Sequence, residues 1–180
     1  IQKHWNLIEL NKILTISVLL TIQNFTSSKL SIKWPNDIFS DEKKLSGILF
    51  EIQNFNKHKV AFFGVGININ QVHFPQNLGN ATSLFQINQC ETNIHNVLMS
   101  LIEHVHIHLQ KLDSHFQIHS NFQKYLWKSN ETITLRIVDG EGFKREQFKL
   151  IDVDFEGRIL VENQSGDQLK FHHGQAFIDL

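Results

Sequence analysis

An α+β fold is the class this sequence predicts: a sheet flanked by helices, followed by a small all-β appendage. Three observations carry that expectation. Apolar residues recur at three- and four-residue steps near residues 10–25 and 94–112, the period of a helix with one buried face. Between them lie short apolar and β-branched runs joined by few residues, the texture of neighbouring strands. After Asn130 the dipeptides Asp139-Gly140, Glu156-Gly157 and Ser165-Gly166 punctuate the chain at short intervals, which points to a small antiparallel barrel or sandwich. The boundary falls near Ser129-Asn130, dividing residues 1–129 from residues 130–180.

Each element has its own reason. Leu10, Ile13, Leu14, Val18, Leu19 and Ile22 define the first helix. Leu30 to Trp34 alternates and stops at Pro35-Asn36-Asp37, a turn tripeptide. Leu45 to Ile52 is an apolar strand containing Gly47, and Lys59 to Val65 is β-branched and aromatic before it ends in Gly-Val-Gly. Residues 68–93, with Pro75 and Gly79, read as loop. Ile94, Leu98, Leu101, Val105, Leu109 and Leu112 share one helical stripe, and a further helix is expected from Phe116 to Trp127.

Composition excludes several classes. The chain has 180 residues, 41% of them hydrophobic, enough for a core without staples. Seventeen basic and eighteen acidic residues leave a net charge of −1. That supplies no field to hold a polyanion, so no nucleic-acid partner is expected. Cys90 is the one cysteine, which rules out a disulfide framework and fits a cytoplasmic location. The apolar run Ile13 to Ile22 is broken by Thr15, Ser17 and Thr21 and falls well short of the ~20 residues of a membrane span. No signal peptide is visible, and no membrane partner is expected. The chain opens on Ile1 rather than Met, which reads as a fragment.

Three clusters could carry chemistry. Lys33-Trp34-Pro35-Asn36-Asp37 presents an amide and a carboxylate at a strand end, where open sheets place ligand groups; alone it also reads as a plain turn. In Lys43-Lys44-Leu45-Ser46-Gly47 a cation enters an apolar strand. A lysine there suits a carboxylate or phosphate, and Gly47 lets a ligand approach the backbone; a solvated turn lysine is the plainer account. Gly64-Val65-Gly66-Ile67-Asn68 lacks the third glycine of a dinucleotide fingerprint. His104, His106 and His108, with His115 further on, suggest a metal by spacing, but no carboxylate or cysteine completes a set, so they read as a solvated flank. Cys90 has no identifiable base and is not expected to act as a nucleophile.

In combination the clusters say more. Lys33-Trp34-Pro35-Asn36-Asp37, then Lys44-Leu45-Ser46-Gly47-Ile48-Leu49-Phe50-Glu51, then Gly64-Val65-Gly66-Ile67-Asn68 resemble, in that order, the biotin protein ligase family. Ala81-Thr82-Ser83-Leu84 and the closing β segment resemble it too. The resemblance implies a mixed sheet flanked by helices, of the class II synthetase-like kind, then an SH3-like barrel at 130–180. It implies ATP-dependent activation of biotin to biotinyl-5′-adenylate with Mg²⁺, then transfer of biotin to a lysine of the biotin carboxyl carrier domain of acetyl-CoA carboxylase.

By the same resemblance Lys44 is the active-site lysine. Its cation would offset the repulsion between biotin carboxylate and α-phosphate, worth roughly 3–4 kcal/mol by analogy with single oxyanion donors. Asn36 and Asp37 match positions that meet the adenylate and the acceptor lysine. Gly47, Gly64 and Val65 match positions where backbone meets biotin, and Asn68 one near the adenine. The basic Gly-Arg-Gly loop of the family has no counterpart before Leu30, so the chain alone is expected to be inactive or very weak. A lipoate-type ligase of the same superfamily, or a non-catalytic interaction module, are the alternatives.

Overall fold

The computed structural model describes residues 7–56, 58–110 and 115–179. The chain divides into two compact units, Ile1–Tyr125 and Leu126–Leu180.

The first unit is organised around α1 (Leu7–Gln23). Leu10, Ile13, Leu14, Ile16, Val18, Leu19 and Ile22 are all buried, so the helix is covered on nearly every side. Its buried hydroxyls are satisfied within the helix. Thr15, Ser17 and Thr21 each donate, at 2.8 Å, to the carbonyl four residues back, so polar atoms enter the core without an orphaned donor. The helix packs on β1 (Leu30–Lys33), β2 (Asp37–Ser40) and β3 (Lys43–Phe55). With β4 (His58–Ile67) these form a four-stranded sheet in the order β1-β2-β3-β4.

Helices packed on a sheet give the α+β class. This sheet's parallel pairing is a single bridge between Lys44 and Ala81. Every ladder between its described strands is antiparallel. The connections are too short for anything else, because a parallel pair needs a crossover of about a dozen residues. The turn reading of Pro35-Asn36-Asp37 runs one residue too far: Asp37 already opens β2. The Gly-Val-Gly tract lies inside β4 rather than ending it. The far half of the β3–β4 ribbon leaves Leu49, Ile52, Phe55, Phe62 and Phe63 exposed.

Residues 68–93 hold a 3-10 turn at Gln76–Leu78 and a short helix α2 (Leu84–Asn88). Ser83 caps α2 by accepting from the Gln86 amide at 3.1 Å. α3 (Ile94–Gln110) packs on α1 with Val97 buried, and the expected apolar stripe is split, Leu101, Val105 and Leu109 being half-buried. Ile94 and Leu98 are exposed, and Leu112 lies outside the described residues. His108 Nδ1 sits 3.0 Å from Ser17 Oγ, and His104 Nδ1 3.4 Å from Thr21 Oγ1. Ser17 already donates its proton to Ile13, so its oxygen accepts from the imidazole. These two histidines therefore form part of a helix contact, not a solvated flank. The side chain of His115 lies outside the described residues. Among those described, no group of three or more His, Cys, Asp or Glu could hold a metal. α4 (His115–Lys124) ends short of Trp127, and Tyr125 just beyond it accepts from the Ile32 amide at 2.6 Å.

The second unit is one antiparallel sheet of β5 (Thr132–Asp139), β6 (Gly142–Val153), β7 (Ile159–Glu162), β8 (Gln168–Phe171) and β9 (Ala176–Ile178). The order is β8-β7-β6-β5-β9. Ile133, Leu135, Phe148, Leu150, Ile159 and Val161 fill its core. Gly140 and Gly166 turn the hairpins at φ of 58° and 88°, the conformation that makes glycine the residue of choice there. His172-His173 precedes Gly174, whose φ is 92°, as a turn requires. The expected SH3-like barrel does not close among the described residues. β8 and β9 are sheet edges, and the three-residue β9 has its ladder with β5. No described helix is long and apolar enough to cross a membrane.

Candidate active site

The site grows from a break in the β2–β3 ladder. Asp37 pairs with Gly47 and Ile38 with Ser46, but Phe39 then pairs with Lys44. Leu45 is the extra residue of a β-bulge. Strand side chains alternate between faces, so Asp37 and Phe39 share one face, and their partners Gly47 and Lys44 share it with them. The other face carries Ile32, Ile38, Ser46 and Ile48, all buried. Leu45 is fully buried, and the bulge brings Lys44 out on the side of Asp37. In a regular ladder Leu45 would stand opposite Phe39, and Lys44 would turn toward the covered face.

On the Asp37 face Lys44 Nζ lies 2.7 Å from Asp37 Oδ1, with 45% and 26% of the two side chains exposed. An ion pair this wet contributes little to stability, about 0–1 kcal/mol; it places a cation and a carboxylate within reach of a solute. Gly47 sits beneath the pair. A Cβ there would come within 3.0 Å of Asp37 Oδ1, Lys44 Cε and Lys44 Nζ. Glycine is therefore required by close approach, not by an unusual backbone angle.

The remaining expected residues divide. Gly64 pairs with Leu49 two rungs from Gly47 and faces the same side. Gly66 lies directly opposite Gly47, so three glycines floor this face. Val65 pairs with Ile48 and turns its side chain the other way, leaving only backbone toward the ladder. Asn36 does not touch the ion pair: its Nδ2 donates to Ile48 O at 3.0 Å and bridges to Asn11 Oδ1 at 3.4 Å. Asn68, just past β4, donates from Nδ2 to Thr82 O at 3.0 Å. Lys43, paired with Ser40, is exposed.

Residues to which the sequence assigns no role also build this corner. Lys44 N–H donates to Asn80 O at 2.6 Å, and Thr82 N–H donates to Lys44 O at 2.9 Å. Asn80–Thr82 thus pairs parallel with the bulged start of β3. Ser46 donates to Gly66 O at 2.7 Å across β3 and β4. The signal for these residues was present in Ala81-Thr82-Ser83-Leu84, but a single bridge between distant segments has no periodicity to detect.

Comparison with known proteins bears on this geometry. Residues 5–68, which span the Asp37, Lys44 and Gly47 corner, match the model of the Biotin/lipoate A/B protein ligase family. The chain is 30% identical over 168 residues to the bifunctional ligase/repressor BirA of Bacillus spizizenii, covering 88% of this chain and 49% of that protein. The biotin protein ligase of Aquifex aeolicus, solved in complex with biotin and ATP, superposes with a TM-score of 0.80 at 27% identity. That match covers 97% of this chain and 72% of the other.

The chain is similar to biotin protein ligases.

A further relative agrees. BirA of Bacillus subtilis is 29% identical over 168 residues, again covering 88% of this chain and 49% of that protein. The chain spans about half the length of the curated relatives it matches. Within the matched residues, Lys44, Asp37 and the glycine floor share one sheet face.

Proposed function

We propose that this chain carries the adenylating corner of a biotin–[biotin carboxyl carrier protein] ligase. Residues 1–129 form part of the catalytic domain and residues 130–180 the C-terminal β domain. The observation that carries the reading is the Lys44–Asp37 pair, 2.7 Å apart over Gly47.

The chemistry follows from charge. A biotin carboxylate oxygen attacks the α-phosphorus of ATP, pyrophosphate leaves, and biotinyl-5′-adenylate forms. Two anions must meet, and the Lys44 ammonium is the group that neutralises the charge gathering between them. Asp37 orients that ammonium in the free enzyme. When Lys44 turns to the phosphate, the Asp37 carboxylate is released. It then accepts the proton that the carrier lysine loses as its amine attacks the acyl carbonyl and AMP departs. Gly47, Gly64 and Val65 let biotin lie against backbone. Asn36 and Asn68 flank the adenylate, with Asn68 toward the adenine. Mg²⁺ enters with the nucleotide as MgATP, since Asp37 alone does not make a metal cage. The carrier is the biotin domain of acetyl-CoA carboxylase, in the cytoplasm.

The test is biotin-dependent ATP–pyrophosphate exchange, followed by labelling of a carrier domain read by avidin blot. The protein is expressed from its complete reading frame, and lipoate replaces biotin as a control. Exchange with biotin and not lipoate supports the proposal. Exchange with lipoate only, or no adenylate with either acid, overturns it.

A further inference from the structure

Asn68, Thr82 and the backbone of Lys44 form one hydrogen-bonded chain. The Asn68 amide donates from Nδ2 to Thr82 O at 3.0 Å. Thr82 N–H donates to Lys44 O at 2.9 Å, and Lys44 N–H to Asn80 O at 2.6 Å. Asn68 also reaches the bulge directly, its own N–H donating to Leu45 O at 2.9 Å. Leu84 N–H closes the knot on Asn68 O at 3.1 Å. Thr82 and Ser83 are buried. Ser83 Oγ ties the far side by donating to Gln71 O at 2.6 Å.

The position of these bonds matters. Leu45 is the surplus residue of the β2–β3 ladder, and surplus backbone groups lose regular partners. Here the Leu45 carbonyl is taken by Asn68, and both backbone groups of Lys44 by Asn80 and Thr82. What holds Lys44 on the Asp37 face is therefore a strap from another part of the chain, added to β2–β3 pairing.

We infer that Asn68 is a positioning residue: through Thr82 it fixes the 80–82 strap on the bulge and so aims the Lys44 ammonium. The assignment rests on the proposed ligation chemistry for its consequence, but not for its geometry. It is separate from any adenine contact, which would use the acceptor oxygen Oδ1, whereas the strap uses the donor Nδ2.

Two substitutions separate the roles. Asn68→Ala removes both donor and acceptor. Asn68→Asp keeps acceptor oxygens and removes the donor. Both are expected to lower kcat for adenylation about tenfold or more, the range for a displaced catalytic group; KM for ATP should change little in Asn68→Asp, which keeps the acceptor, and rise in Asn68→Ala, which loses it. In a Lys44→Ala background Asn68→Asp should cost almost nothing further, because the donor and Lys44 act as one unit. Amide exchange read residue by residue should quicken at Lys44 and Thr82 and stay unchanged along α1 and in the second unit. Wild-type kcat in Asn68→Asp, a full additive loss in the Lys44→Ala background, unchanged exchange at Lys44 and Thr82, or quickening throughout the first unit would each overturn the inference. If the unsubstituted protein adenylates nothing, the ligation reading fails alone, and the exchange measurement still decides the strap.

Discussion

Replacing Gly47 with alanine should separate stability from chemistry. The added methyl would stand 3.0 Å from Asp37 Oδ1, Lys44 Cε and Lys44 Nζ, so these atoms must give by a few tenths of an ångström. All belong to the ends of side chains with room to move, Lys44 being 45% exposed. The fold should therefore absorb the change. An exposed ion pair forfeits about 0–1 kcal/mol. Alanine in a strand in place of glycine returns about 0.5–1 kcal/mol of backbone entropy. The two nearly cancel, and a residue of 1 kcal/mol would shift the melting temperature by only about 2–4 °C in a chain of this size. The site has no such tolerance. Moving a charge by a fraction of an ångström to one ångström at the reacting centre costs up to about a hundredfold in rate. Gly47→Ala should thus melt within about 4 °C of the parent while losing about ten- to a hundredfold in biotin-dependent pyrophosphate exchange. Parental exchange rates in a folded Gly47→Ala protein would refute the placement of the reacting groups over this glycine. A collapse in melting temperature would refute the steric reasoning.

Lys44→Ala should cut adenylate formation by about a hundredfold, the loss of one charge clamp, while Lys43→Ala, on an exposed residue paired with Ser40, should change little; equal losses in a pyrophosphate-exchange assay would mean that the wrong lysine faces Asp37. Leu19→Ala, at a fully buried position of α1, should cost about 2–5 kcal/mol, read as a fall in the urea midpoint. In the second unit burial pushes the Asp154 carboxyl up, but hydrogen bonds and charge from Arg158, with Lys170, outweigh it and hold it below the usual carboxylate value. A carboxyl lowered by folding stabilises above its unfolded pKa, and that stability is lost as pH falls through its folded value; Asp154→Asn should therefore lower the melting temperature at pH 7, and the difference should shrink as pH falls below the usual carboxylate range.

Much of this architecture is legible from local pattern. The three-and-four spacing of Leu10 to Ile22 predicts α1, which the structure buries on nearly all sides. The glycine dipeptides after Asn130 predict hairpins, and Gly140 and Gly166 adopt the positive φ such turns need. The juxtaposition of Asp37, Lys44 and Gly47 follows once the two motifs are read as adjacent strands. What escapes is non-local. β2 is four residues long and is masked by the turn before it. Strict alternation would send Lys44 inward, and only the bulge reverses it. The 80–82 strap meets Lys44 through backbone groups, which every residue carries alike. α3 departs from its pattern at the start, where Ile94 and Leu98 stay exposed, while His104 and His108 lie against hydroxyls of α1. Whether five strands close into a barrel depends on the pairing of the last one, and β9 offers only three residues for it.

The surplus leucine has a bearing on protein engineering. Anyone grafting Lys-Leu-Ser-Gly onto an ordinary hairpin would obtain a greasy surface where a cation belongs and a lysine driven into the hydrocarbon interior, since such a scaffold lacks the hiccup at Leu45. The portable unit is larger than its four letters. It includes the neighbouring Asp37 strand, the Asn80–Thr82 brace and the asparagine that pins it, and a transplant that omits any of these should carry the spelling of the motif without its direction.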